Sequence, residues 1–215
     1  PKNIAEKFVE VFKRDPRKGY ASRFYDFLEA VKDGKEFLAR IKPDSDKSGA
    51  ALRAGPIGIL ADTEQVKEYA RIQARLTHDT PDGIHAAVAA ALMPHYFVYN
   101  LGRKEDLPKY IASHVSGNWV DEWKGEVGAK GWMSVRAALT AVSQEHTLYN
   151  ILRRSIQFSG DVDTVAAIAM AAGSCSNEIK QNLPEALIKN LENKTYGRDY
   201  LTKLDRQLKA EVGRQ

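Results

Sequence analysis

Two carboxylates and a hydroxyl stand within four residues at Asp161-Val162-Asp163-Thr164, and an apolar, small-residue run over 165–173 follows directly. Aspartate and threonine offer hard oxygen donors, which suit magnesium, manganese or calcium rather than zinc. The same groups at a helix start have a plainer use. They can accept from the exposed backbone N–H groups of the first turn and complement the positive end of the helix dipole. On the segment alone the cap is the commoner reading, so the rest of the chain has to decide.

Two more loop-to-helix junctions carry unusual polar residues. In the first, Ser48-Gly49-Ala50-Ala51-Leu52-Arg53 runs on to Pro56-Ile57-Gly58. Small residues let a backbone approach a ligand closely, and Arg53 offers a forked guanidinium to phosphate, to a carboxylate or to an internal partner. In the second, Thr77-His78-Asp79-Thr80-Pro81 sets an imidazole beside a helix start, where it either contacts a ligand or is satisfied locally.

The elements that must hold these junctions read as helices throughout. Ile4, Phe8, Val11 and Phe12 share one helical face, which Asp15-Pro16 ends. Tyr20, Phe24, Phe27, Leu28 and Val31 repeat the pattern, and Phe37, Leu38 and Ile41 follow before a polar loop over 43–49. Asp62 with Gln65 has the form of a capping box, and Asp79-Thr80-Pro81 is a cap followed by proline. The helix opened there is apolar nearly all round over 86–93, which predicts burial at the centre. Further helices are predicted over 107–115, 134–143, 148–158, 164–172, 178–191 and from 198 onward. The stretch 116–131 is irregular, with Trp119, Trp123 and glycines, and buried tryptophans anchoring a loop explain it best. The expectation is one all-α globule without repeats or linkers.

Composition narrows the function classes. With 43% hydrophobic and 28% charged residues in 215, the chain can bury a substantial core and is not a disordered one. The 32 basic and 28 acidic residues are interspersed, so the net charge of +4 describes a solvated surface and not a nucleic-acid footprint. Cys175 is the only cysteine, which rules out an intrachain disulfide and a cysteine metal cluster and fits a reducing, cytoplasmic setting. It reads as a small packing residue. Residues 2–18 lack the apolar stretch of a signal peptide, and His85, Pro94 and His95 interrupt the most apolar run, so no membrane partner is expected.

The order and wording of the three junctions resemble the ADP-ribosylglycohydrolase family, which includes the dinitrogenase reductase-activating glycohydrolases and the J1 crystallins. Ser48, Gly49, Arg53, Pro56, Ile57 and Gly58 match a first motif, and Thr77, His78, Pro81 and Gly83 match a second. Gly131-Trp132-Met133 is similar to a Gly-Tyr/Trp-Val segment before a helix. Ser159-Gly160-Asp161-Val162-Asp163-Thr164 is similar to a Gly-Gly-Asp-x-Asp-Thr motif, and 191–201 to the family's C-terminal helix pair.

That resemblance implies a compact orthogonal multi-helix fold and a centre of two magnesium ions, with manganese as a possible substitute. It implies hydrolysis of the glycosidic bond between ADP-ribose and a modified protein side chain. Asp161 and Asp163 would be catalytic, and Asp161, Asp163 and Thr164 would be metal ligands. Ser48, Gly49, Arg53, His78, Trp132 and Gly160 would contact substrate, and the partners would be ADP-ribose or an ADP-ribosylated protein. One departure stands out. The family's Gly-Asp-x-x-Gly stretch and Thr-Asp-Asp ligand run do not occur in these 215 residues. Residues 1–215 are therefore expected to form a single domain truncated at its N-terminus relative to the family, with half of the metal shell. The alternative is an inactive member that binds ADP-ribose or a partner, or serves structurally. Self-association, or a separate N-terminal piece, is expected to cover the surface so exposed.

Overall fold

The computed structural model describes residues 1–212, and within them lie twelve α-helices, two short 3-10 turns and isolated β-bridges but no strand. Three helices open the chain: α1 (Lys2–Arg14), α2 (Ser22–Ala30) and α3 (Gly34–Arg40). Asp33 caps α3 by accepting from Glu36 N at 2.8 Å. Phe12, Leu28, Val31 and Phe37 fill a cluster of their own, closed by Leu76. Phe8 stacks on Phe37 with ring centroids 5.9 Å apart, and Phe12 meets Tyr25 edge-on at 5.0 Å.

The main core is built around one helix. After α4 (Gly49–Leu52), the 3-10 turn Gly55–Ile59 and α5 (Thr63–Arg75) comes α6 (Pro81–Val98). Thr80 caps α6, its hydroxyl accepting from Gly83 N at 3.1 Å, and Pro81 fills the first helical position. Every residue from Ala86 to Phe97 is buried, as apolarity on all sides predicts. The neighbours of α6 are α4, α5, α7 (Leu107–His114), α8 (Gly131–Gln144) and α10 (Val162–Gly173). On the far side α9 (Leu148–Gln157) packs on α8 and α10, and α11 (Glu185–Lys189) and α12 (Arg198–Val212) end the described chain.

Three expectations need correction. The helix predicted over 178–191 shrinks to α11, because Pro184 removes a backbone donor and the preceding residues pair elsewhere. There Lys180 bonds to both His146 O and Leu148 N. Asp62 caps α5 through Glu64 N at 2.8 Å rather than through Gln65. Helix α8 starts at Gly131, three residues before the predicted 134. Trp119 and Trp123 are buried and tie the 116–131 loop down through Val115 O and Gly125 O, each at 3.0 Å. Cys175 is half-buried, its thiol pushed up by that burial, as a packing residue would be. Among the described residues no helix is long and apolar enough to cross a membrane.

Candidate functional site

The start of α10 is held from outside the helix. Ser159 and Gly160 take positive φ values of 62° and 77°, and a side chain on Gly160 would run into the Val127 carbonyl. Val127 N donates to Ser159 O at 3.1 Å and Asp161 N donates to Val127 O at 2.9 Å. The tryptophan loop thus fixes where Asp161 stands.

Asp161 occupies the N-cap position of α10, yet its carboxylate makes no capping bond to the backbone. Oδ1 accepts from Thr164 Oγ1 at 2.9 Å, and Oδ2 accepts from Ser134 Oγ at 3.3 Å. Thr164 Oγ1 also lies 3.3 Å from Ser48 Oγ, at the head of α4. Ser134 sits in the first turn of α8 and is fully buried. Gly131 lets α8 begin against the 46–48 backbone: its N donates to Asp46 O at 3.0 Å, and a Cβ there would meet Lys47 O at 3.1 Å. The N-terminal ends of α8 and α10 therefore converge on one carboxylate.

Beside this cluster lies the second junction. A Cβ on Gly49 would stand 3.4 Å from His78 Cε1 and 3.5 Å from its Nε2, so the bare glycine faces that ring edge. His78 Nδ1 is 2.6 Å from Thr77 Oγ1, which accepts from Arg53 Nη2 at 2.7 Å. Arg53 Nε donates to Gln73 Oε1 at 2.7 Å, Nη1 to Gly49 O at 3.1 Å and Nη2 to Gln73 O at 3.3 Å. Its guanidinium also sits 5.0 Å above the Phe8 ring. Four of its five donors are spent inside the protein, tying α4 to Gln73 and Thr77. Burial brings Arg53 down to about 10 and His78 to about 4, the latter helped by the Arg53 charge and opposed by Asp46.

The structure brings Ser48, Gly49, His78, Asp161 and Thr164 to one place and sets others around it. Asp163 is exposed in the first turn of α10, and Gly160 is exposed at its head. Trp132 is half-buried and packs edge-on against Trp123 at 5.9 Å, so its visible partner is the tryptophan loop. Ser134 was not singled out by sequence reasoning, and Thr77 only as a motif position. Both look like ordinary hydroxyls until the fold brings Asp161 and His78 to them.

A family model described as ADP-ribosylglycohydrolase matches residues 1–215. The chain belongs to the ADP-ribosylglycohydrolase family. It is 25% identical over 179 residues to the ADP-ribosyl-dinitrogen reductase glycohydrolase of Rhodospirillum rubrum, covering 78% of this chain and 54% of that protein. To ADP-ribosylhydrolase ARH3 it is 25% identical over 134 residues in Gallus gallus and 23% over 124 in Homo sapiens. Those matches cover 56% and 53% of this chain but 35% and 33% of the relatives. The chain spans about a third to a half of the curated relatives it matches. In shape it is similar to a solved chain titled "ADP-ribosylglycohydrolase-related protein complex". The TM-score is 0.66 at 18% identity, covering 99% of this chain and 72% of that one, which establishes the fold.

Asp161, Asp163 and Thr164 supply hard oxygens, the type magnesium takes. Among the described residues no three His, Cys, Asp or Glu side chains gather in metal-binding geometry. The three side chains fit magnesium in chemical kind.

Proposed function

We propose that this chain carries the ribose-facing half of an ADP-ribosyl hydrolase site, centred on Asp161, and that the intact protein hydrolyses the glycosidic bond between ADP-ribose and a protein side chain. The observation that carries the reading is the state of Asp161. A carboxylate at a helix N-cap ordinarily accepts from the backbone. Here it is held by the hydroxyls of Thr164 and Ser134 instead.

Asp161, Asp163 and Thr164 would hold magnesium, with manganese as a substitute. The ion would supply positive charge that polarises ribose hydroxyls or water. The remaining work belongs to the chain. The carboxylates of Asp161 and Asp163 are acceptors for a proton and offset the charge of an oxocarbenium-like carbon. The hydroxyls of Thr164 and Ser134 fix the Asp161 carboxylate before the ligand arrives. His78 and the bare backbone at Gly49 form the adjoining wall, where ADP-ribose oxygens find a donor, and Gly160 lets the head of α10 pack on the Val127 carbonyl. Free ADP-ribose and ADP-ribosylated protein are the proposed partners, and the cytoplasm the proposed setting.

The decisive experiment is a calorimetric titration of ADP-ribose into the protein, with magnesium and then with excess chelator. Magnesium-dependent binding is expected, and it should disappear in Asp161→Asn. Absence of binding under both conditions would reject the reading for this chain.

A further inference from the structure

The geometry points to Arg53 and Thr77 as positioning residues that lock His78 in one neutral tautomer, with its proton on Nε2 facing Gly49 and the ligand side of the site. The argument is an accounting of protons. Arg53 can only donate, so Thr77 Oγ1 accepts from its Nη2 at 2.7 Å. The threonine hydroxyl keeps one proton of its own. The acceptor within reach of it among the described residues is His78 Nδ1, at 2.6 Å. An Nδ1 that accepts carries no proton, and a neutral imidazole must then bear it on Nε2.

Orientation of the relay is set at its far end. Arg53 is pinned by Gln73 Oε1 at 2.7 Å and by Gly49 O at 3.1 Å, and Gln73 is fixed in turn by donating to Ala50 O at 3.0 Å. Phe8 of α1 covers the guanidinium face. His78 is 7% exposed, so a ring flip would leave a buried donor or acceptor unmet. The result is a preset hydrogen-bond donor beside Gly49. Its target is an oxygen acceptor of the ligand, which under the reading above is ADP-ribose. The inference rests on that reading only for the ligand's identity.

The test is the imidazole spectrum of the histidines in a long-range proton–nitrogen correlation, on protein labelled at histidine nitrogen. The chain has five histidines, and His78→Gln identifies the signals of interest by their loss. In the unsubstituted protein His78 is expected to show a bare Nδ1 and a protonated Nε2. Thr77→Val keeps the shape and removes the hydroxyl, and should give mixed or reversed tautomers with the helical circular dichroism unchanged. Thr77→Ser restores the hydroxyl and should restore the spectrum. A protonated Nδ1 in the unsubstituted protein, or a Thr77→Val spectrum identical to it, overturns the inference. ADP-ribose affinity is measured alongside. A loss of about tenfold in Thr77→Val, as one missing hydrogen bond gives, with recovery in Thr77→Ser, would support the donor role. Failure of the unsubstituted protein to bind ADP-ribose rejects the proposed function and leaves the tautomer result to decide this inference by itself.

Discussion

At the scale of single residues, the instructive contrast is between Asp161 and the ordinary helix cap. A capping aspartate replaced by a residue without a side-chain acceptor costs about 0.5–2 kcal/mol. Asp161 makes no such bond, and an asparagine can still accept from Thr164 or Ser134. Asp161→Asn is therefore expected to change the urea-unfolding free energy by less than about 1 kcal/mol while abolishing magnesium-dependent ADP-ribose binding. A large loss of stability with binding intact would return Asp161 to the role of a cap. Gly49→Ala separates space from strain in the same way. Its Cβ would lie at ordinary contact distance from His78, 3.4 Å from Cε1, so the melting temperature should hardly move while ADP-ribose affinity falls, because the methyl covers the Nε2 edge. The pairing of Asp161 with Thr164 was legible in the sequence, since i and i+3 neighbour each other in the first turn of a helix. Ser134 was not, because its link to Asp161 spans 27 residues and nothing local distinguishes that serine.

Elements explain a motif that residues alone misassign. Glycines in the stretch ending at Gly58 suggest close approach of backbone to a ligand, and at Gly49 the space freed lies against the His78 ring edge. For Gly58 the approaching body is another helix. A Cβ there would fall 2.5 Å from Ala91 O and 2.8 Å from His95 N, both on α6 and both backbone. The contact sits where Pro94 interrupts the α6 ladder, and His95 bridges it, Nδ1 lying 3.2 Å from Gly58 O and Nε2 3.1 Å from Thr63 Oγ1. Gly58→Ala should accordingly cost roughly 1–3 kcal/mol in unfolding free energy, as overpacking does, whereas a ligand-facing glycine would cost little. Helix positions themselves were legible wherever one face is buried, because the period of 3.6 is then imposed by the core. The 178–191 segment shows the limit of that logic. Ile179, Leu183, Leu187 and Leu191 keep helical spacing, but Pro184 and backbone pairing with 146–148 override it. The spacing here is not imposed by burial, since Leu187 and Leu191 are exposed, and pairing to a distant loop is not visible in a local pattern.

The whole molecule joins two cores through the site. The N-terminal aromatic cluster touches the main body at Leu76 and through Phe8, 5.0 Å from the Arg53 guanidinium. It reaches the C-terminal segment through Arg14, which donates to Tyr200 Oη at 2.8 Å, and through Arg17 with Glu192 at 2.9 Å. The arginine that orients His78 is thus buried by an element from the other core, and the cost of that burial appears in the pH dependence of stability. In the folded protein His78 holds its proton only below about 4, against an ordinary value of 6.5. Above pH 6.5 the imidazole is neutral in both states and contributes nothing to the pH slope. As pH falls from 6.5 towards 4 the unfolded chain takes up a proton that the folded site refuses, so stability declines through this window, by a loss on the order of 3 kcal/mol at its foot. His95, lowered chiefly by burial, adds a decline of the same sign. Urea midpoints measured against pH should therefore fall across this window, and the fall should be shallower in His78→Gln, which lacks the His78 share. Equal slopes in the two proteins would mean that His78 is protonated in the fold at mildly acid pH. The Arg53 guanidinium would then face a cation across Thr77, with Phe8 packed over its face.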